Sequence, residues 1–177
     1  SESYKADVEI INLAYLTLKD IGVKNIVIEI SAPFFLDSLL KKIDKLDKRK
    51  KIMKLILSKN INGCYNILKD KEIINALKLL QLCSGSIKNK NLSIDQLSKL
   101  IGFKNEVKRI VKISKLLKIS KNDSINIDFF EMQKNKDYYK GIKFTFFAKN
   151  VRGEIAGGGR YQFKSGNNFE KAIGYTC

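Results

Sequence analysis

Between Ala6 and Ile21 the apolar positions Val8, Ile11, Ala14, Tyr15 and Leu18 recur at three- and four-residue steps, one face of a helix that Gly22 brings to an end. The next segment, VKNIVIEIS, alternates up to Ser31 and predicts a strand. From Pro33 to about Ser120 the period is helical almost throughout. Pro33 suits a first helical turn ahead of FFLDSLLKKI. KIMKLIL, EIINALKLLQL, SIDQLSKLI and VKRIVKISKLL each carry apolar residues at helical spacing. Ser93 with Gln96, just before Leu97, Leu100 and Ile101, predicts a capping box at a helix start. After Asn122 the period drops to two, and INIDFFE, DYYKGIKFTFFA, RGEIAGGGRY and KAIGYTC predict an antiparallel meander. This succession predicts an α+β fold. Residues 1–31 and 122–177 form a core of antiparallel sheet with flanking helices, and 32–121 form a helical insertion.

With 177 residues, 44% of them hydrophobic, the chain can bury a substantial core. No apolar run approaches the roughly 20 residues that span a bilayer, and residues 1–30 lack the order of a signal peptide. A cytoplasmic protein without a membrane partner is expected. Cys64, Cys83 and Cys177 are widely spaced and odd in number, which predicts reduced thiols and argues against both a disulfide framework and a zinc site.

The formal charge of +16 raises the question of nucleic acid. Only Arg49, Arg109, Arg152 and Arg160 are arginines, so planar, bidentate recognition of phosphate has few candidates. In the densest run, Lys48 to Lys51, Ile52, Leu55 and Ile56 follow at helical spacing, which predicts an amphipathic helix with its charges in water. A basic helical scaffold or RNA-binding module is the third-ranked function.

Histidine is missing from the chain, which removes Ser-His-Asp and Cys-His chemistry and histidine-ligated metals from these residues. Neither a GxxxxGK[ST] phosphate loop nor a GxGxxG helix opening occurs. Asp128, Glu131, Asp137 and Glu154 are expected to be solvated or ion-paired. No catalytic residue and no metal site is predicted.

The most informative stretch runs from Asp137 to Tyr161. Gly157, Gly158 and Gly159 interrupt a strand pattern and lead into Arg160. Glycine inside a strand means that a ligand edge or another strand comes close to the backbone, or that the torsions exclude a side chain. Tyr138 and Tyr139 head the preceding strand with side chains on opposite faces, unless a bulge re-aims one of them.

DYYKGIKF followed by GEIAGGGRY resembles, in order and spacing, the two signature segments of the histidyl-tRNA synthetase family, RGLDYYTGxVFE and EIAGGGRYDGL. ADVEIINLAYLTLKDIGVKNIVIEIS is similar to the helix and strand that follow the second class II motif, and KAIGYTC to the segment leading into the third. The resemblance implies a class II aminoacyl-tRNA synthetase-like sheet, with the first two class II motifs before Ser1 and the third completed after Cys177. It also implies two possible jobs. One is histidine activation with ATP and magnesium followed by tRNA charging. The other belongs to the silent paralogue that serves as regulatory subunit of ATP phosphoribosyltransferase.

The departures favour the second. Lys134, Asn135 and Lys136 stand where the synthetase pattern has Arg-Gly-Leu. The family arginine is expected to contact the α-phosphate and the substrate carboxylate, and a lysine cannot copy its fork. Thr145 replaces the usual Glu after Phe144, and Gln162, Phe163 and Lys164 replace Asp-Gly-Leu. SAPFFLDSLLKKIDKLDKRKKIMKLILSKN is similar to the paralogues' leucine-rich helix followed by a basic one. The resemblance therefore implies a regulatory subunit with histidine as its allosteric ligand and no cofactor. Its partner would be the short-form catalytic subunit, with a homodimer inside the hetero-oligomer. Tyr138, Tyr139, Gly157, Gly158, Gly159 and Arg160 are the expected histidine-binding residues, and Lys134 marks the degenerate catalytic position.

Overall fold

The computed structural model describes residues 3–87, 104–132, 139–165 and 168–177. Helix α1 (Tyr4–Asp20) starts earlier than the apolar period predicts, because Ser3 Oγ accepts a hydrogen bond from the Lys5 amide at 3.1 Å and caps it. Gly22 follows at φ 91°, a left-handed turn that costs glycine no Cβ clash. Strand β1 (Ile26–Ser31) comes next, ending where the alternation ends.

The insertion contains α2 (Pro33–Lys41), α3 (Leu46–Leu57), α4 (Ile61–Ile67), α5 (Lys71–Cys83), a short strand β2 (Gly85–Ser86) and α6 (Lys104–Leu116). Pro33 stands in the first turn of α2 as expected. Helix α4 is too short for a periodic signal. A local cap starts it, with Asn60 Oδ1 accepting from the Gly63 amide at 3.0 Å. The expected capping box at Ser93 and Gln96 lies outside the described residues. In the basic run, Ile52 and Ile56 are buried and Lys50 and Lys51 are exposed, as the amphipathic reading requires. Arg49 does more than meet water: its Nη2 donates to the carbonyls of Lys41, the last residue of α2, at 3.2 Å and of Ile43 just beyond it at 2.7 Å.

Among the described residues, strands β3 (Ser124–Asp128), β4 (Tyr139–Ala148), β5 (Ala156–Ser165) and β6 (Asn168–Thr176) complete a six-stranded sheet of order β2-β3-β1-β4-β5-β6. Only β4, β5 and β6 form the expected meander. β1 separates β3 from β4 and runs parallel to β3, with Val27 opposite Ser124. A parallel pair needs a long crossover, and the helical insertion is that crossover.

One face of the sheet carries Ile26, Ile28, Ile30, Phe144 and Phe146, all fully buried, in register as Ile28 with Phe146 and Ile30 with Phe144. They share a single core with Ile11, Ala14, Tyr15 and Leu18 of α1 and Val107, Ile110 and Ile113 of α6.

Asp123 ties α1 to the start of β1. Its carboxylate accepts from Tyr15 Oη at 2.6 Å, the Ile26 amide at 2.7 Å and Lys19 Nζ at 3.3 Å. Burial pushes its pKa up, but the bonds from Tyr15, Ile26 and Lys19 outweigh that and hold it below the usual carboxylate value. A lowered folded-state pKa contributes stability above the unfolded value of about 3.9 and loses it as pH falls through the folded value. Asp123→Asn is therefore expected to cost about 2 kcal/mol at neutral pH and to flatten the acid limb. Urea midpoints measured from pH 7 to 3 check this, and parallel curves for the two proteins would refute it.

Candidate functional site

The opposite face of the sheet is built in rows by the same register. One row runs Asn126, Glu29, Thr145, Gly157, Thr176 across β3, β1, β4, β5 and β6. The next runs Asp128, Ser31, Lys143, Gly159, Gly174. A third places Tyr139 opposite Tyr161 and Tyr161 opposite Ala172, with a register irregularity between Tyr139 and Lys143. Gly157, Gly159 and Gly174 leave a stretch of this face without side chains. Above them lies a cavity of about 180 Å³ lined by Gly157, Gly158, Gly159, Tyr161, Gly174, Tyr175 and Thr176. That is below the roughly 300 Å³ of an ordinary ligand pocket and suits a small ligand.

Two kinds of closeness explain the glycines. A Cβ at Gly158 would lie 2.2 Å from the Gly174 carbonyl oxygen, 2.6 Å from Phe144 Cζ and 2.8 Å from Tyr175 Cα, so β6 and the core crowd this position. At Gly157 the nearest atom would be the Phe144 carbonyl oxygen at 3.6 Å, an ordinary contact. Of the three causes foreseen for the glycines, the neighbouring strand accounts for Gly158, while Gly157 and Gly159 border the cavity on the open face.

Arg160 supports the trough from behind. Alternation along β5 puts it on the α1 face, where its Nε donates to Asp7 Oδ1 at 2.7 Å and its Nη2 to the Ser3 carbonyl at 2.9 Å. Tyr161, which is not among the six expected histidine-binding residues, is on the trough side. Counting by two from Gly157 was the signal that could have found it. Tyr139 contributes backbone at the head of β4, whereas Tyr138 and Lys134 lie outside the described residues.

West of the glycines, toward β1 and β3, the face is acidic. Glu131 accepts from Ser31 Oγ and from Lys143 Nζ, and Asp128 accepts from the Phe130 amide at 2.7 Å. Burial pushes the pKa of Glu29 up, and the nearby Asp128 and Glu131 push it further. Asp128 is likewise raised by burial and by Glu131, against the opposing Phe130 hydrogen bond. The expectation of ion-paired or solvated carboxylates thus holds for Glu131, which is paired, and for Glu154, which is exposed. Asp137 lies outside the described residues. Among the described residues no group of three or more Cys, Asp or Glu side chains is arranged to hold a metal.

This architecture has relatives. The family model described as histidyl-tRNA synthetase matches residues 1–177, the whole chain. The chain belongs to the histidyl-tRNA synthetase family. A histidine–tRNA ligase from Archaeoglobus fulgidus is 29% identical over 170 residues, covering 93% of this chain and 39% of that protein. An ATP phosphoribosyltransferase regulatory subunit from Clostridium novyi is 31% identical over 180 residues, covering 94% of this chain and 41% of the relative. Among solved structures, the ATP phosphoribosyltransferase (HisG:HisZ) complex from Thermotoga maritima superposes with a TM-score of 0.71 at 17% identity, over 98% of this chain and 61% of that one. At that identity the likeness is one of fold. The chain spans about two fifths of the curated relatives it matches. The fold that carries the glycine trough is shared with these solved structures, and this chain's own residues line the trough.

Proposed function

We propose that the protein containing this chain is a non-catalytic member of the family, a regulatory subunit of ATP phosphoribosyltransferase that binds histidine in the glycine trough. The observation that carries this reading is the replacement of Arg-Gly-Leu before Asp-Tyr-Tyr by Lys134, Asn135 and Lys136. A lysine is a point charge and cannot hold a phosphate and a carboxylate with one planar fork. The Clostridium novyi relative, itself named a regulatory subunit, supports it.

In this reading histidine lies along Gly157 and Gly159 against Tyr161, and Tyr138 or Tyr139 supplies a hydroxyl hydrogen bond and ring packing. Arg160 holds β5 from behind by its bond to Asp7. Feedback needs only a modest difference in histidine affinity between the active and inhibited assemblies. Typical couplings of about 1 to 3 kcal/mol suffice. The partner is the short-form catalytic subunit.

The Archaeoglobus histidine–tRNA ligase favours a second reading, a divergent synthetase in which Lys134 is tolerated. One experiment separates the two. Full-length protein is mixed with the short catalytic subunit from the same source and assayed with and without histidine. Activation on mixing and inhibition by histidine are expected. No activation, with histidine-dependent ATP–pyrophosphate exchange by the protein alone, would establish the synthetase.

A further inference from the structure

Another, larger cavity of about 550 Å³ lies on the α1 side of the sheet, between the start of α1 and the first turns of α6. That volume is within the ordinary range of a small-molecule pocket. Three basic side chains of α6 line it, Lys108, Arg109 and Lys112, against one acidic side chain, Glu106. Lys108 and Lys112 are four residues apart and so share one face of the helix. Tyr4 of α1 lines the cavity as well, and Lys112 Nζ sits 4.8 Å from the centre of its ring. This cation–π contact keeps the ammonium at the cavity wall.

The positive charge here is not balanced. Lys108 and Lys112 have no carboxylate partner among the described residues. Behind them a single carboxylate, Asp7, serves two guanidiniums, those of Arg109 and Arg160, so the cluster keeps a positive charge of its own. Arg109 turns Nε and Nη2 to the same oxygen of Asp7. Its Nη2 is buried without a hydrogen bond, which is true of no other buried side-chain nitrogen or oxygen among the described residues. Two guanidiniums carry more donors than one carboxylate can accept, and Nη1 is the nitrogen that Arg109 has left for the cavity it lines. Both helices begin at this place, and the positive ends of their dipoles add to the same field.

We propose that this cavity binds a phosphate-bearing small molecule, with Lys108, Lys112 and Arg109 at the phosphate and the Tyr4 ring beside the rest of the ligand. Three cations against one acid suit a dianionic phosphate better than a carboxylate, which carries one charge. The basic groups converge in a cavity and include a single arginine, which favours a small ligand over the backbone of a nucleic acid. The cavity is on the face opposite the glycine trough, and the proposal does not depend on what the trough binds.

Isothermal titration of the full-length protein with inorganic pyrophosphate at physiological salt is the test. Saturable binding with a dissociation constant below about 1 mM is expected. The double variant Lys108→Ala/Lys112→Ala should weaken it roughly 10- to 100-fold and leave the urea midpoint unchanged, since neither lysine is paired. Lys50→Ala/Lys51→Ala removes the same charge from exposed positions of α3 and should change the affinity by less than about 2-fold. Equal losses in the two double variants would mean that pyrophosphate feels only the net charge of the chain. Undiminished binding by Lys108→Ala/Lys112→Ala would put the anion elsewhere, and no saturable binding would leave the cavity without a ligand. Any of these three results overturns the proposal. A short RNA duplex that displaces pyrophosphate and loses affinity in Lys108→Ala/Lys112→Ala would overturn it too, by assigning the cavity to a nucleic-acid backbone.

Discussion

Asp7→Ala is expected to lower the unfolding free energy by about 3 to 5 kcal/mol, the usual cost of removing one partner from a buried ionic cluster. Asp7 is completely buried on α1 and holds two arginines from distant parts of the chain. Arg160 Nε donates to its Oδ1 at 2.7 Å, and Arg109 Nε to its Oδ2 at 2.7 Å. Arg109 Nη2 lies 2.6 Å from the same Oδ2 as a charge contact without a well-aligned hydrogen bond. The arginine side chains are only 12% and 26% exposed, so neither recovers full hydration when the carboxylate goes. The cluster joins the α1 side of the sheet to α6 of the insertion, and through Arg160 it reaches the strand that floors the trough. Urea unfolding of Asp7→Ala measures the cost. Asp7→Asn, which keeps the shape and loses the charge, should fall between it and wild type. A loss below about 1 kcal/mol would place the pair among surface ion pairs in energy and contradict the burial argument.

Gly158→Ala is expected to cost about 3 kcal/mol, the top of the usual range for overpacking a core. The added methyl group meets backbone, the Gly174 carbonyl oxygen at 2.2 Å, and the buried Phe144 ring at 2.6 Å, so β6 must move away from β5 for it to fit. Gly157→Ala, one residue away, should change stability by less than about 1 kcal/mol, because its Cβ meets nothing closer than 3.6 Å. Chemical unfolding of the two variants side by side is the measurement. Equal effects would show that the triple glycine is tolerated as a unit and that the close approach of β6 does not set its sequence.

Much of this fold is legible in the residues. The 3.6-residue period of α1 and the two-residue period of β1 carry through to the structure with small shifts at the ends, which local caps such as Ser3 set. Pro33 and Gly22 stand where their backbone preferences put them. The family, too, was readable from two linked motifs whose spacing is held by one β4–β5 hairpin. Elements that escaped were short, like α4 and β2, because a periodicity needs several repeats to register.

Pairing between strands could not be read from the chain. Period two says that β3 and β4 are strands but not that β1 slips between them, since that order depends on the crossover through the insertion. The same holds for the site. Arg160 and Tyr161 are neighbours in the motif, and alternation alone separates them. That Arg160 goes to Asp7 while Tyr161 goes to the trough follows only once α1 is known to cover one face. Glu29 and Thr145 lie more than a hundred positions apart in the chain and become neighbours through the β1–β4 register. Local periodicity is written in consecutive side chains and so survives in a linear reading. Which face is covered and which strand lies beside which are set by long-range packing, and these decide which side chains line the trough.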